Sequence, residues 1–254
     1  MSLSIRKEFK VTLPNPMSKP KLLFITGATK GIGRATAFTF AKAGWDLILL
    51  ARDLKALEKL KNELIGFDIK VNICNCDLSD DGIIESSISK LLKDFGCPSV
   101  VLNNAGFAYN GELITMPLKQ WQKIIQVNLT SIFQICSEIV PSMRVKGGLI
   151  INVSSHAASN AFPQWGAYCT TKAALASFTK CLREEERHNS IKACTLTLGS
   201  VNTPLWDSEF VKSDFNRDAM LVPENVSQTI LYMAEQPESQ IIEDITLMPS
   251  TGAF

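Results

Sequence analysis

The chain has 254 residues, of which 46% are hydrophobic and 20% are charged, so it is long and apolar enough for one large α/β domain. Its 26 Lys and Arg residues are matched by 25 Asp and Glu residues. That balance leaves no charge excess to attract nucleic acid or an anionic membrane. No apolar run approaches the ~18–20 residues of a membrane helix. We therefore expect neither partner.

Residues 1–20 are polar, basic and interrupted by Pro14 and Pro16, without the apolar core of a signal peptide. We predict a flexible N-terminal extension there, a single domain over residues 21–254 and a cytoplasmic location. The seven cysteines are odd in number and lack the spacing of zinc or redox motifs. We expect them to be small buried hydrophobes, with no disulfide and no bound metal.

Short apolar segments alternate with longer amphipathic ones along the chain. Segments typical of strands buried on both faces are Lys21–Thr26, Asp46–Ala51, Ile69–Cys74, Ser99–Leu102, Gly148–Val153, Lys192–Leu198 and Ile241–Met248. Helical spacing of apolar residues occurs in Ile32–Ala43, Leu54–Ile65, Gly82–Asp94, Leu118–Met143 and Gly166–His188, and Pro223 opens a further helix. This alternation predicts a doubly wound, mostly parallel, seven-stranded sheet in three α/β/α layers.

A glycine-rich turn follows the first predicted strand and precedes a helix. It contains Gly27, Gly31 and Gly33. In a dinucleotide site the first glycine permits the tight turn, the second lets the backbone approach a pyrophosphate, and the third allows close packing of helix and strand. The free N–H groups of the helix then face the phosphates. The context therefore predicts a dinucleotide site.

The end of the second strand indicates which dinucleotide binds. A carboxylate there would favour NAD, whereas a cation would favour the 2′-phosphate of NADP. Ala51 ends the strand and Arg52 follows it, with Lys30 in the glycine-rich turn as a second cation. Asp53 precedes a helix and is better explained as its N-cap. We predict NADP.

Tyr168 and Lys172 are four residues apart on a predicted helix, so their side chains share one face. A phenol has a pKa near ~10 and is a poor base at neutral pH, but a nearby ammonium favours the phenolate and lowers that pKa. The pair alone is common by chance. Its context is a set of further motifs in order, namely Thr26–Gly33, Asn103–Gly106, Asn128 and the serines Ser154 and Ser155.

With these motifs the chain resembles the short-chain dehydrogenase/reductase family, in its single-domain, NADP-preferring branch, from about Lys21 to Met248. The resemblance implies a Rossmann fold and hydride transfer between NADP and a carbonyl or secondary alcohol. It implies that Tyr168 is the general acid or base, that Lys172 lowers its pKa, and that Asn128 anchors a water in a proton relay. Ser155 would hold the substrate oxygen, and Ser154 would only close the strand.

The resemblance also implies the residues of the cofactor site, with Asp77 at the adenine and Asn104 at the ribose. The full set is Gly27, Thr29, Lys30, Gly31, Ile32, Gly33, Arg52, Asp77, Leu78, Asn104, Ala105, Gly106, Tyr168, Lys172, Gly199, Val201 and Thr203. Leu198 departs from the proline common in the family, which loosens the loop after it. The ending Ile245–Ser250 lacks the Asp-Gly-Gly of 3-oxoacyl-carrier-protein reductases and disfavours an acyl-carrier-protein substrate.

Two stretches, before Tyr168 and after Gly199, supply the expected substrate pocket. Its apolar and aromatic wall comprises His156, Phe162, Trp165, Leu205, Trp206 and Phe210. No Arg or Lys occurs in either stretch before Lys212, so a strongly anionic small substrate lacks an obvious partner. We expect His156 to be packed or hydrogen-bonded, since Tyr168 and Lys172 already account for the proton.

Other functions remain open from the sequence. They are a non-catalytic NADP-binding regulator, a 3-oxoacyl-carrier-protein-reductase-like enzyme, and a sugar-nucleotide epimerase or dehydratase. The intact Ser155, Tyr168 and Lys172 disfavour the regulator, and an epimerase would carry a longer C-terminal lobe. Helices Leu118–Met143 and Gly166–His188 have more apolar positions than one sheet face can cover. We therefore expect a homodimer or homotetramer, as the resemblance also implies.

Overall fold

A computed structural model describes residues 21–211 and 215–252. Seven strands form one parallel sheet: β1 (Leu22–Thr26), β2 (Asp46–Ala51), β3 (Val71–Asn75), β4 (Val100–Asn103), β5 (Gly148–Ser155), β6 (Ile191–Leu198) and β7 (Asp244–Leu247). Their order is β3-β2-β1-β4-β5-β6-β7. The predicted doubly wound sheet is therefore confirmed. The predicted N-terminal extension lies outside the described residues.

The helices cover both faces of this sheet. They are α1 (Gly31–Lys42), α2 (Leu54–Glu63), α3 (Asp81–Phe95), α4 (Leu118–Ile125), α5 (Ser131–Met143), α6 (Gly166–Glu186) and α7 (Pro223–Ala234). Alternate residues of each strand point to opposite faces. Leu23 and Ile25 of β1 accordingly pack in one core cluster with α1, α2 and α7, whereas Phe24 packs in the other with α3, α5 and α6.

The boundaries of two strands differ from the predicted ones because the backbone pairing, and not the apolar run, sets where each strand begins or ends. β5 extends two residues beyond Val153, because Ser154 and Ser155 pair with Thr197 and Leu198 of β6. β7 begins at Asp244 rather than at Ile241, because the first residue of β7 that pairs with β6 is Asp244, opposite Thr195. Ser155 is therefore the last residue of a central strand, at the carboxyl edge of the sheet.

The helix predicted over Leu118–Met143 is interrupted. A π-helical turn, Gln126–Thr130, separates α4 from α5. A π turn inserts one extra residue into a helix and commonly re-aims a side chain at a functional site. Here the fully buried Asn128 lies inside that turn. Apolar periodicity continues across the turn, which is why the pattern predicted one helix.

The same segment, Leu118–Met143, is long and apolar enough to cross a membrane by length and composition, although no such run was expected from the sequence. Core helices of soluble proteins meet these criteria too. Ile132, Ile135 and Ile139 of this segment are buried in the core cluster that covers one face of the sheet. Packing in the core accounts for its apolar character.

Cysteine burial was only partly anticipated. Cys76, Cys136 and Cys194 are buried, and all seven are free thiols. Cys181 is exposed on α6, which contradicts the expectation that the cysteines are buried hydrophobes. Its helical position faces away from the sheet, and sequence context alone did not distinguish that face.

Candidate active site

A cavity of about 420 Å³ opens at the carboxyl ends of the strands. In the strand order, the chain builds outward in one direction from β1 and in the other from β4. Loops leaving two such neighbouring strands diverge and leave a crevice, where open α/β sheets bind ligands. The glycine-rich turn after β1 and Asn104–Gly106 after β4 both line the cavity.

The glycine-rich turn approaches its neighbours too closely for a side chain. Gly27 has φ 65° and Gly31 has φ 50°, a region that favours glycine. A Cβ on Gly31 would lie 2.9 Å from the methyl group of Thr203. A Cβ on Gly33 would collide with the carbonyl group of Gly27. The turn is thus a bare backbone cradle, which fits a pyrophosphate.

Asn104 and Thr26 hold this cradle. The Asn104 amide donates hydrogen bonds to the carbonyl oxygens of Thr26 (3.0 Å) and Gly27 (3.3 Å). The Thr26 hydroxyl accepts the backbone N–H groups of Asn104 and Ala105, each at 3.0 Å. Asn104 therefore shapes the turn as well as lining the cavity.

Two cations stand at one end of the cavity. Lys30 and Arg52 both line it, and within residues 21–211 and 215–252 neither makes an ion pair. Asp53 is occupied elsewhere, because its carboxylate accepts the N–H of Ala56 at 3.1 Å and caps α2, as predicted. No side chain caps α1, so the N–H groups of its first turn keep their free donors. The end therefore suits a phosphate.

Tyr168, Ser155 and Lys172 meet at the other end. Tyr168 and Ser155 both line the cavity, and the Ser155 side chain is near enough to the phenol to act on its pKa. The Lys172 amine lies 5.6 Å from the centre of the Tyr168 ring and donates a 2.8 Å hydrogen bond to the carbonyl of Val153. Ser154 also lines the cavity but is buried, and its hydroxyl donates to the carbonyl of Lys172.

The pKa values of this group differ from the expectation. Burial raises the pKa of Tyr168 to about 12, and the hydrogen bond with Ser155 only partly opposes it. Burial also lowers the pKa of Lys172 to about 8. The ammonium therefore does not bring the phenol toward neutral pH. Desolvation is the largest influence on the pKa of each group, and it holds Tyr168 protonated, as a proton donor requires.

Asn128 acts inside the protein rather than on the cavity wall. Its side-chain oxygen accepts the N–H of Phe107 (2.7 Å), and its amide donates to the carbonyl of Phe107 (2.8 Å) and to the hydroxyl of Thr171 (3.1 Å). Thr171 precedes Lys172 on α6. The π turn thus ties the loop after β4 to the helix that carries Tyr168 and Lys172.

Most of the predicted site residues line the cavity, including five of the six expected for the substrate pocket: His156, Phe162, Trp165, Leu205 and Trp206. The cofactor residues on the wall are Gly27, Lys30, Gly31, Ile32, Arg52, Asn104, Ala105, Gly106, Tyr168, Lys172, Gly199, Val201 and Thr203. The side chain of His156 is hydrogen-bonded to Asn160 (3.3 Å), in keeping with a packed histidine.

Six predicted residues do not line the cavity, namely Thr29, Gly33, Asp77, Leu78, Asn128 and Phe210. Gly33 serves close packing and Leu78 is buried in the core. Burial raises the pKa of Asp77, but hydrogen bonds from Ser79 and the charges of Arg52 and Lys123 outweigh it and lower that pKa overall. Phe210 packs on Phe107 instead, with ring centres 5.4 Å apart.

Arg217 is a residue of the site that the sequence did not indicate. Its guanidinium donates to the carbonyl of Thr203, the side-chain oxygen of Asn202 and the carboxylate of Asp207, each at 2.9 Å. It therefore fastens the segment that carries Thr203, Leu205 and Trp206. Phe107 and Phe215 also line the cavity, and the sequence did not predict either of them. Arg217 begins a 3-10 helix of three residues and the two phenylalanines lie in loops, so no periodic pattern marks any of them.

We expect Arg217→Ala to weaken NADPH binding by roughly tenfold, because hydrogen bonds to a charged group are worth ~1.5–3 kcal/mol and three are lost from the segment that carries Thr203. Calorimetric titration measures the change. Arg187→Ala is the matched control, since that arginine pairs with Glu184 at 2.6 Å at the far end of α6. Unchanged affinity in Arg217→Ala would show that the segment holds its place without the guanidinium.

Comparison with known proteins identifies the family that this chain resembles in sequence. The family model described as short chain dehydrogenase matches residues 21–213. An uncharacterized oxidoreductase of Staphylococcus saprophyticus is 32% identical over 93% of this chain and 98% of its own length. An NADP-dependent 3-hydroxy acid dehydrogenase of Schizosaccharomyces pombe is 31% identical over 91% of this chain and 93% of its own.

A solved structure agrees with these relatives. An alcohol dehydrogenase from the archaeon Thermococcus sibiricus, complexed with 5-hydroxy-NADP, superposes with a TM-score of 0.82 and 26% identity over 91% of this chain and 97% of its own. Fold, glycine-rich cradle and match over residues 21–213 lead to one conclusion. The chain belongs to the short-chain dehydrogenase/reductase family of oxidoreductases.

Proposed function

We propose that this protein is an NADP-dependent carbonyl reductase or alcohol dehydrogenase in which Tyr168 is the general acid. The observation that carries the proposal is that Ser155, Tyr168 and Lys172 line the same cavity, with the Lys172 amine 5.6 Å from the centre of the phenol ring. The cradle at Gly27–Gly33 and the cations Lys30 and Arg52 fit the phosphates of the cofactor. Bound NADPH would supply the hydride.

In the proposed reaction Ser155, Tyr168 and Lys172 each have a separate role. The hydroxyl of Ser155 donates a hydrogen bond to the carbonyl oxygen of the substrate and holds it against Tyr168. The phenol then transfers its proton to that oxygen as negative charge develops there. Lys172 is mostly charged at neutral pH, because its lowered pKa is still about 8. Its positive charge stabilises the phenolate that the transfer leaves.

Replacing Tyr168 by Phe removes the proton donor and leaves the glycine-rich cradle intact. Turnover of carbonyl substrates with NADPH should fall by ~10²–10⁴-fold, the usual contribution of general acid catalysis. NADPH affinity should stay close to that of the unchanged protein. The two quantities are measured by NADPH absorbance during turnover and by titration. Normal turnover in the variant would refute the assigned role of Tyr168.

Cofactor preference rests on charge at the end of β2. The position of Arg52 on the cavity wall supports a contact with the 2′-phosphate, and the carboxylate of Asp53 caps α2 instead. Arg52→Ala should weaken NADPH binding by about one to two orders of magnitude, corresponding to ~1.5–3 kcal/mol, and leave NADH nearly unchanged. Ala51→Asp should go further, because its carboxylate repels the phosphate and suits the ribose hydroxyls.

Asp53→Asn is the control for this test. Asparagine caps a helix as well as aspartate does, so the variant removes only the charge. Both cofactor affinities should then stay unchanged. If the unchanged protein binds NADH as tightly as NADPH, or if Asp53→Asn selectively weakens NADH, the preference for NADP is wrong and Asp53 contacts the ribose.

Association into a closed dimer or tetramer is also proposed, supported by Phe133 on α5, which is 56% exposed. The exposed face of α6 differs from the expectation, since its exposed described residues are small or polar, such as Ala173 and Ser177. Phe133→Asp should produce monomers at micromolar concentration in light scattering. Tyr232→Asp, at an equally exposed aromatic on α7, should not. A monomeric unchanged protein would contradict the proposal.

Cytoplasmic location stays a prediction.

A further inference from the structure

A row of aromatic rings runs from the general acid along the cavity wall. Trp165 lies edge-to-face on Tyr168, with ring centres 5.6 Å apart and planes at 74°. Trp206 lies 5.8 Å from Trp165, and Phe215 lies 5.4 Å from Trp206. All four residues line the cavity and none is fully buried. The row therefore presents aromatic surface directly beside the reacting atoms.

Contacts within the protein fix the positions of Trp165 and Trp206. The indole N–H of Trp206 donates a 2.8 Å hydrogen bond to the carbonyl of Val201. Trp165 is the N-cap of α6, and its carbonyl accepts the N–H of Cys169 at 2.9 Å. Gln164, directly before it, has φ 67°, which is unusual for a side-chain-bearing residue and fixes the direction of the turn. Preorganised rings lose little freedom on binding.

Charge on the wall is distributed unevenly. Among the described residues that line the cavity, the cations are Lys30, Arg52 and Lys172. Arg52 directly follows β2, and β2 and β5 are three strand positions apart in the sheet. At ~4.8 Å per strand, the ends of these two strands are about 14 Å apart. Lys172 lies behind the phenol and donates to Val153. A carboxylate beside Trp165 and Trp206 would therefore be removed from water without a partner among these residues, at a high cost.

We propose that the substrate is an uncharged ketone that bears an aromatic ring on its carbonyl carbon, or the corresponding secondary alcohol. The inference rests on the proposed function and narrows it. The substrate ring packs edge-to-face on Trp165 and Trp206 while its carbonyl oxygen lies against Ser155 and Tyr168. The relative that acts on 3-hydroxy acids implies the opposite class, a small anion.

The reaction balances with the groups already named. In reduction the carbonyl carbon accepts a hydride, with its two electrons, from NADPH, and the C=O π bond becomes a C–O single bond. The oxygen takes the proton of the Tyr168 hydroxyl. The products are a secondary alcohol and NADP⁺, and the Tyr168 phenolate recovers its proton from solvent.

Three probe ketones separate the substrate classes: acetophenone (aryl, neutral), 2-butanone (small, neutral) and 3-oxobutanoate (small, anionic). We expect kcat/KM for acetophenone to exceed that for each of the others by about tenfold or more, because each aromatic pair adds to the ordinary gain from burial. A higher kcat/KM for 3-oxobutanoate overturns the inference and leaves the proposed function standing. No reduction of any carbonyl compound with NADPH overturns the proposed function itself.

Variants at Trp206 test the contact directly. Trp206→Ala should lower kcat/KM for acetophenone by about tenfold, mostly through KM, and by a clearly larger factor than it lowers kcat/KM for 2-butanone. Trp206→Phe keeps a ring and should retain most of the preference. NADPH titration verifies that each variant is folded, and Trp121→Ala, a tryptophan outside the cavity wall, is the control. An equal loss for both ketones in Trp206→Ala, or an undiminished preference, overturns the inference.

Discussion

The pairing of β1 with β4 is the constraint on which the site depends. These strands are neighbours in the sheet although β2 and β3 lie between them in sequence, so the chain departs in opposite directions from their carboxyl ends. The Thr26 hydroxyl joins the two ends by accepting both the Asn104 and the Ala105 N–H groups. Because the crevice opens there, the glycine-rich turn and the loop after β4 face one ligand.

Polar groups buried near this crevice carry the chemistry, and the fold compensates for each. Asn128 satisfies its side-chain donors and acceptor on Phe107 and Thr171, which requires the helix to widen by a π turn. Lys172 retains one carbonyl partner, Val153, and its pKa falls because burial disfavours its charge. Tyr168 stays protonated for the same reason. Desolvation thus shifts the pKa values of the phenol and the amine in opposite directions, which supports the proposed role of Tyr168 as the proton donor.

The substrate side is constructed differently from the cofactor side. The cofactor cradle rests on strand ends and helix starts, whose geometry the sheet dictates. The substrate wall instead rests on irregular segments before α6 and after β6, and Arg217 fastens one of them through three hydrogen bonds. Such segments vary freely without disturbing the sheet. The substrate wall can therefore change without altering the cradle or the Tyr168–Lys172 pair.

The sequence by itself determined the order of strands and helices, the glycine-rich cradle, the Tyr168–Lys172 pair and the N-cap role of Asp53. These features depend on residues close together in the chain, where periodicity and spacing act directly. Only the tertiary structure decided the break at Gln126–Thr130, the task of Arg217, the place of Phe215 on the wall and the raised pKa of Tyr168. Each of these results from contacts or burial between segments distant in sequence, and no local pattern encodes the desolvation or the hydrogen-bond partners that such packing creates.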